Sequence, residues 1–336
     1  MSARPEVSII MPVRNEAASL DAALASVCSQ ATDASVEVIV VDDHSADSSR
    51  SIIEHWTARD ERVRLVSSPR RGIPQALNCG LGAARGRYLV RVDGHSIIPP
   101  DYVQALLDHI RSDTCEGAGG HKRAVGQGPF GRAVAAAHGS RLGIGDSKYH
   151  FSQRQELVDH IPFGAYVTEL ARAIGGWDEG LRTNEDYDFD FRYQQAGGRL
   201  LFDPAIVVDW RVRETPIRLA QQYYAYGRGK FMTLARHPSS LRLRWLAPPM
   251  LVGSLAAGIL LSRTTPGRVL LTVVGGSYAL FLVAGAAILG SRADVRLAPH
   301  GALALGIMHL SWGTGFLASA GMEVLGRIPG FPRLRA

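Results

Sequence analysis

The sequence predicts an α/β fold, in which a mostly parallel, Rossmann-like sheet of the nucleotide-binding type is followed by apolar C-terminal helices. Two observations carry this expectation. Short β-branched runs alternate with amphipathic helical stretches through roughly the first 110 residues, at about 30 residues per pair, as in a parallel sheet with right-handed crossovers. Charged residues lie mostly in the first two thirds of the chain, whereas Leu, Ala, Gly and Val dominate the last third.

The charge balance narrows the classes of partner. The 336 residues carry a formal charge of +6 and a pI near 9.4, with more Arg than Lys, and several Arg flank the apolar segments. This placement suits anionic lipid headgroups or a phosphate-bearing substrate. No basic stripe interleaved with aromatic residues is present, so we expect no nucleic-acid partner.

The cysteines and the N-terminus indicate a cytosol-facing domain. Cys28, Cys79 and Cys115 lack the spacing of metal ligands and are read as reduced thiols. Met1 to Glu6 lead straight into the first predicted strand without the apolar run of a signal peptide.

The elements of the first 110 residues follow from local patterns. Apolar runs closed by Pro, Asp or Ser predict the strands Val7–Met11, Val36–Val41, Val63–Val66 and Tyr88–Val92. Apolar residues at helical spacing predict the helices between and after them, over Leu20–Gln30, around Ile52–Trp56, over Ala76–Ala84 and over Val103–Ile110.

Polar residues follow the second and fourth predicted strands. Asp42-Asp43 and Asp93-Gly94-His95 stand at the carboxyl edge of a parallel sheet, where ligands bind. Asp93 and His95 could grip one ion, and Gly94 allows the sharp turn, although such a pair also occurs in ordinary loops. Asp42 and Asp43 could equally cap a helix. The absence of a glycine-rich phosphate loop after the first strand disfavours a dehydrogenase or an NTPase.

The pattern changes after the fourth strand. Residues 113–160 are rich in Gly and His with little periodicity, and we expect a partly ordered acceptor-side region there. In Asn184–Arg192 the acidic residues concentrate in the first turns of a predicted helix, where the helix dipole favours them. Two separate strands, Leu200–Phe202 and Ile206–Trp210, are predicted to end the soluble part.

The remaining chain is predicted to meet the membrane. Residues 216–244 contain either an amphipathic interfacial helix or a plain surface helix. Residues 245–320 hold about three transmembrane helices, of which the second is the most apolar, while the first and third could be re-entrant or interfacial. Residues 321–336 form a basic tail. Arg242 and Arg244 favour a cytoplasmic start, but the later loops carry Arg too.

Five motifs in register carry a family resemblance. They are Val-Ser-Ile-Ile-Met-Pro-Val-Arg-Asn-Glu at 7–16, Val-Val-Asp-Asp-His-Ser at 40–45, Asp-Gly-His at 93–95, Gly-Gly-Trp-Asp-Glu at 175–179 and Asn-Glu-Asp-Tyr-Asp at 184–188. Over residues 5–235 the chain resembles family 2 glycosyltransferases. Arg-Val-Asp-Gly-His at 91–95 and Gln-Tyr-Tyr-Ala-Tyr-Gly-Arg at 222–228 are most similar to the succinoglycan-biosynthesis glucosyltransferase branch.

The resemblance implies an A-type glycosyltransferase fold over residues 1–215, an inverting transfer and the roles of individual residues. Donor binding falls to Pro12, Glu16, Asp43, Arg71 and Asp93, with Asp43 recognising the base, expected to be uracil. Arg71 could equally be a solvated loop charge. The metal, Mn²⁺ or Mg²⁺, falls to Asp93 and His95.

The catalytic pair implied by the resemblance is Glu185 and Asp186, with Asp186 as the base that takes the proton of the acceptor hydroxyl. Trp177, Gln222 and Arg228 are placed on the acceptor side; the last two correspond loosely to a membrane-proximal Gln and Arg that some relatives place near the donor.

His95 departs from the family pattern, since most relatives have a second aspartate there. Either the site prefers a softer ion such as Mn²⁺, or Asp93 alone holds the ion and His95 touches a phosphate, or activity is lost.

The expected function is a membrane-anchored inverting glycosyltransferase. It would move a sugar from a UDP-linked donor to a lipid-linked saccharide at the cytoplasmic face of the inner (plasma) membrane, in exopolysaccharide or cell-envelope glycan synthesis. Direct transfer to a polyprenyl phosphate and a non-catalytic scaffold of a glycan assembly complex remain the alternatives.

Overall fold

A computed structural model describes residues 4–145, 147–292 and 294–326. The part of the predicted basic tail beyond Gly326 lies outside the described residues. The chain divides into two compact units, one built from Met1–Arg123 and Ser152–Trp210, the other from Ala124–Phe151 and Arg211–Ala336.

The described chain contains one sheet of eight strands in the order β3-β2-β1-β4-β7-β5-β8-β6. The strands are β1 Val7–Val13, β2 Val36–Asp42, β3 Val63–Ser67, β4 Tyr88–Arg91, β5 Gly117–Val125, β6 Glu156–Leu157, β7 Ala165–Val167 and β8 Leu200–Arg211. Neighbours among β1 to β4 are parallel, whereas β7 is antiparallel to β4 and to β5, and β6 is antiparallel to β8. The predicted mostly parallel sheet is confirmed.

The helices follow the predicted alternation in the first half of the chain. They are α1 Leu20–Cys28, α2 Ser49–Arg59, α3 Ile73–Ala83, α4 Tyr102–Arg111, α5 Pro129–His138, α6 Arg141–Ile144, α7 Thr168–Ala173, α8 Glu185–Gln195, α9 Pro216–Arg236, α10 Ala247–Leu260, α11 Thr265–Arg292 and α12 Ala298–Gly326. In the first unit, apolar residues of β1, β2 and β4 pack with those of α1 and α4 in one buried core.

Residues 113–160 are more regular than their sequence pattern indicates, because they include β5 and α5. Hydrophobic periodicity is missing from β5 since three of its residues are glycines. A β-carbon at Gly120 would overlap the backbone of Ile206 in β8, so the close approach of these strands requires the residue that hides the pattern.

The two strands predicted over residues 200–210 form a single strand, β8. Pro204 lies inside this strand. Among the described residues, β6 at the edge of the sheet pairs with Leu201 and Phe202 alone, so that side of β8 has no ladder partner there from Asp203 onward. A proline is tolerated on such an unpaired edge.

The second unit is helical in its C-terminal part. Three spans are long and apolar enough to cross a membrane, Leu243–Leu260, Thr265–Ser291 and Val295–Leu325, as the sequence predicts. Helices α9 and α12 approach closely through glycines: a β-carbon at Gly227 would overlap the backbone of Trp312, and one at Gly315 that of Tyr224. Helix α9 is therefore tied to the longest apolar helix by direct backbone contact.

Candidate active site

The candidate site lies in the first unit, at the carboxyl ends of the parallel strands. Asp43 is one of its residues, and hydrogen bonds hold its side chain in place. This buried residue follows β2, and its two carboxylate oxygens both accept the backbone N–H of Gly72, at 3.1 Å each. Arg14 lies 3.9 Å from the same carboxylate. Gly72 has a φ of 141°, and a β-carbon there would overlap Gln75, so glycine is required. Asp43 thus holds the loop that leads into α3.

A buried guanidinium joins two of the predicted acids. The side chain of Arg91, at the end of β4, is 8% exposed; its Nε donates to Asp93 at 3.1 Å and its Nη1 donates to Asp186. Burial opposes the charged form of Arg91, but the charges of Asp186 and Asp93 outweigh it and raise the pKa of Arg91. Arg91 is therefore a permanent cation between two carboxylates that are 18% and 33% exposed.

Asp186 stands in the first turn of α8, and that helix is anchored from several sides. The indole Nε1 of Trp177 donates to Asp186 at 3.3 Å. About one helical turn later, Asp190 is fully buried and contacts three partners. These are His160 Nδ1 at 2.6 Å, the backbone N–H of Ile161 at 2.9 Å and the hydroxyl of Tyr166 at 2.9 Å. The register of α8 is therefore fixed, and with it the place of Asp186.

Two further ionisable side chains near Asp186, those of Lys122 and Glu185, have shifted pKa values. Burial is the largest influence on Lys122 and lowers its pKa to about 8, against the attraction of Asp93 and Asp186. Its Nζ lies 4.4 Å from the ring centroid of Trp210. Burial and the charge of Asp186 raise the pKa of Glu185 to about 8. The raised pKa of Glu185 favours its protonated form beside Asp186.

His95 is engaged with a neighbouring loop. Its Nδ1 lies 3.1 Å from Glu16 Oε1, and this hydrogen bond, followed by the charge of Asp93, raises the pKa of His95. A β-carbon at Gly94 would lie 3.0 Å from Val13, so the turn after β4 packs directly on the end of β1. The structure thus brings Glu16, Asp93 and His95 to one edge.

The family of this fold is decided by a profile match that covers both strand-end motifs. Residues 8–172 match the model of Glycosyl transferase family 2. Residues 8–172 form a family 2 glycosyltransferase domain. The resemblance seen in the sequence motifs is confirmed.

Two curated relatives of the chain are succinoglycan biosynthesis proteins. The chain is 29% identical over 314 residues to the succinoglycan biosynthesis protein ExoA of Rhizobium meliloti, covering 92% of this chain and 93% of that protein. It is 27% identical over 227 residues to the succinoglycan biosynthesis protein ExoO of the same organism, covering 63% and 62%. The similarity to ExoA extends through the apolar helices as well as the sheet.

A solved structure shares the fold. The mannosyltransferase PcManGT from Pyrobaculum calidifontis, in complex with GDP-Man and Mn²⁺, aligns with a TM-score of 0.60 at 19% identity, covering 97% of this chain and 89% of that one. The expected A-type glycosyltransferase fold is confirmed.

The resemblance to family 2 implies a divalent cation at this site. The side chains of Asp93 and His95 are chemically suited to bind such an ion together with donor atoms from a ligand. Burial alone would raise the pKa of Asp93, but Arg91 and His95 lower it, so its carboxylate is ionised. Among the residues described, no group of three or more His, Cys, Asp or Glu is placed to hold a metal. Asp93 and His95 could hold an ion only with oxygens from the ligand and water. His95 must lose its proton to contribute.

Four other predicted site residues belong to two units: Pro12 and Arg71 to the first, Gln222 and Arg228 to the second. Pro12 pairs with Val41 near the end of β1, and Arg71 is exposed beside Gly72. Gln222 and Arg228 belong to α9 in the second unit, where Gln222 donates to the hydroxyl of Tyr226 at 3.0 Å.

Sequence reasoning missed Arg91, Lys122 and Asn78 as site residues. Arg91 had a signal, since an arginine inside the apolar strand Tyr88–Val92 calls for a buried acid. Lys122 had little signal, because it follows a run of glycines and a histidine in β5. Asn78 had none, because its contacts with Trp177 join residues 99 positions apart.

Proposed function

We propose that the protein is a membrane-anchored inverting glycosyltransferase that moves a sugar from a UDP-linked donor to a lipid-linked saccharide, in exopolysaccharide or cell-envelope glycan synthesis. The observation that carries this proposal is the buried Arg91, paired with both Asp93 and Asp186 at the carboxyl edge of the sheet. One group thereby joins the acid expected at the donor diphosphate to the acid expected at the acceptor.

The donor side is built around Asp43. The two contacts from Gly72 hold its carboxylate against the loop before α3, where it can accept N–H donors from a base such as uracil. Pro12 and Glu16 lie on the neighbouring strand end and loop, and Arg71 supplies an exposed cation next to Gly72. These residues together offer the mixture of carboxylate, backbone and cation that a nucleoside diphosphate requires.

The chemical step needs one base. Asp186 takes the proton of the acceptor hydroxyl while that oxygen attacks the anomeric carbon in a single displacement, which inverts the configuration. The raised pKa of Glu185 favours its protonated form, so we assign the role of base to Asp186. The residues Arg91 and Lys122 supply fixed positive charge beside Asp93, where negative charge grows on the departing diphosphate.

A divalent cation held by Asp93 and His95 would neutralise further charge on the leaving diphosphate. The PcManGT structure with GDP-Man and Mn²⁺ supports this assignment by shared fold. His95 is the residue on which the choice between Mn²⁺ and Mg²⁺ depends, because imidazole favours the softer ion.

The acceptor assignment depends on the three apolar helices. They would keep the chain in the inner (plasma) membrane, with the catalytic unit on the cytoplasmic side, where nucleotide-sugars are made. A saccharide on a lipid carrier is then the acceptor that shares the membrane with the enzyme. The similarity to two succinoglycan biosynthesis proteins supports a polysaccharide pathway.

The test is a transfer assay on the full chain in membranes. A panel of labelled nucleotide-sugars is offered with a lipid extract and Mn²⁺, and label is followed into the lipid fraction. Asp186→Asn should lower turnover by about 10²–10⁴-fold, as expected for loss of a general base. Asp209→Asn is the control, because Asp209 is an exposed carboxylate paired with Arg123.

Three outcomes would change the proposal. Negligible turnover in wild type and in Asp186→Asn alike would favour a scaffold. A labelled monosaccharide lipid formed without a saccharide primer would favour polyprenyl phosphate as acceptor. Retention of the anomeric configuration, read by NMR of the product, would contradict the single displacement.

A further inference from the structure

Trp177 is enclosed by other side chains. It is 3% exposed, and its ring stacks on Phe189 of α8 with centroids 4.2 Å apart and planes inclined by 11°. The indole Nε1 donates to Asp186 Oδ1 at 3.3 Å. A buried ring offers no open platform on which a sugar could stack, but it does hold an N–H toward the carboxylate proposed as the base.

Asn78 of α3 holds the backbone of Trp177 on both sides. Its Nδ2 donates to the carbonyl of Trp177 at 2.8 Å, and its Oδ1 accepts the backbone N–H of Trp177 at 2.8 Å. The preceding residue, Gly176, has a φ of 70°, and a β-carbon there would overlap Asn78 Oδ1. The bidentate grip therefore fixes the rotation of the chain at Trp177, and with it the direction of the indole.

Two more residues before and within α3 hold the same loop. Gln75 Nε2 donates to the carbonyl of Glu179 at 3.1 Å, and Arg70 pairs with the Glu179 carboxylate. Between Arg70 and Gln75 stands Gly72, which donates to Asp43. One short stretch of chain thus contacts the donor-side acid and the loop that carries Trp177.

We propose that Trp177 is a positioning residue for Asp186, and that Asn78 sets this position by clamping the Trp177 backbone. The inference rests on the proposed function, because it assigns Asp186 the role of base. In this arrangement the indole N–H stabilises one rotamer of the Asp186 carboxylate, and the clamp links that rotamer to the segment next to Asp43. Trp177 acts on the chemical step without touching the donor or the acceptor.

The decisive variant is Trp177→Phe, which keeps an aromatic ring against Phe189 and removes the N–H donor. We expect kcat to fall about tenfold, the effect of losing a hydrogen bond to a carboxylate, with KM for the nucleotide-sugar and the thermal midpoint little changed. Trp56→Phe is a matched control, because Trp56 Nε1 donates to Asp21 at 2.9 Å, away from the strand ends. It should leave kcat unchanged.

Asn78→Ala tests the clamp. It should lower kcat to a similar extent, and the double variant with Trp177→Phe should lose little more than the larger single loss, because Asn78 acts through Trp177. Nucleotide affinity, measured by calorimetry, distinguishes a specific loss of kcat from a folding defect. We expect this affinity to stay within about twofold of wild type.

The outcomes separate the two proposals. A wild type that transfers sugar, together with a Trp177→Phe variant of unchanged kcat, overturns the positioning role alone. Full additivity in the double variant overturns the clamp. A wild type that transfers no sugar from any donor overturns the proposed function and the positioning role with it. A drop in kcat with constant KM and constant nucleotide affinity supports the inference.

Discussion

Acidic side chains pair with arginines at both ends of the parallel strands, but the ratio of acids to cations differs between the two ends. At the amino end, the buried Glu37 meets the hydroxyl of Ser8 at 2.7 Å and two arginines, Arg64 and Arg85, at 2.9 Å. Burial would raise the pKa of Glu37, but these hydrogen bonds lower it. A single carboxylate therefore has two arginine partners, and both arginine side chains are partly exposed to solvent.

At the carboxyl end of the strands, the acids outnumber the cations that lie beside them. Arg91 pairs with both Asp93 and Asp186. Burial and the charge of Asp186 raise the pKa of the neighbouring Glu185. Three acids, Asp93, Asp186 and Glu185, here share two cations, Arg91 and Lys122, and groups whose pKa values are shifted by burial and charge are typical of functional sites. We infer that the pairing at the amino end stabilises the fold, whereas the groups at the carboxyl end serve the proposed chemistry.

Removing Arg91 should have the largest effect. Arg91→Met leaves two carboxylates without their buried cation, and we expect a loss of about 3–5 kcal/mol in the free energy of unfolding and a drop in turnover. The measurements are denaturation of the detergent-solubilised chain and the transfer assay. Arg85→Met is the control at the other edge, where Arg64 remains to pair Glu37 and a loss of at most about 1 kcal/mol is expected. Equal losses would remove the distinction between the edges.

Glu37→Gln should cost stability and leave chemistry intact. The loss should be about 2 kcal/mol at pH 7, since a buried charge-assisted network is weakened, with kcat unchanged. The folded-state pKa of Glu37 is lowered, so its contribution is present above the unfolded value near 4.5 and is lost as pH falls through the folded value. The difference between wild type and variant should therefore shrink in acid. A constant difference from pH 7 to pH 3 would contradict this.

Glu185→Gln should act in the opposite direction. The folded-state pKa of Glu185 is raised to about 8, so the folded protein loses stability as pH rises from about 4.5 to about 8. A neutral Gln removes that loss, and the variant should gain about 1–2 kcal/mol relative to wild type at pH 8.5 and nothing at pH 4. Thermal midpoints across this range provide the check, and a gain that does not depend on pH would refute the raised pKa.

His95→Asp should have the smallest effect. A second carboxylate at this position removes the imidazole that contacts Glu16 and supplies a harder ligand. We expect the ratio of activity with Mg²⁺ to activity with Mn²⁺ to rise about three- to tenfold. The assay is donor hydrolysis with each ion in turn, and a constant ratio would mean that His95 does not contact the ion.

Much of this site could be predicted from local sequence. Asp43, Asp93 and Asp186 were identified because each stands at a strand end or a helix start within a recognisable motif, and the structure connects the last two through Arg91. Trp177 was identified by its motif with a role on the acceptor side, whereas its burial supports a role beside Asp186. Burial depends on neighbours distant in the chain, which a motif does not contain.

Local sequence patterns are enough to predict the alternation of strands and helices, the edge at which acids gather and the presence of apolar C-terminal helices. These follow from periodicity, which acts over a few residues. Three features become visible only in the folded chain: Arg91 pairs with two acids, Asn78 holds the backbone of Trp177, and β5 is a strand despite its glycines. Each of these is a contact between segments far apart in sequence, and its energy depends on distances of a few ångströms that local patterns do not encode.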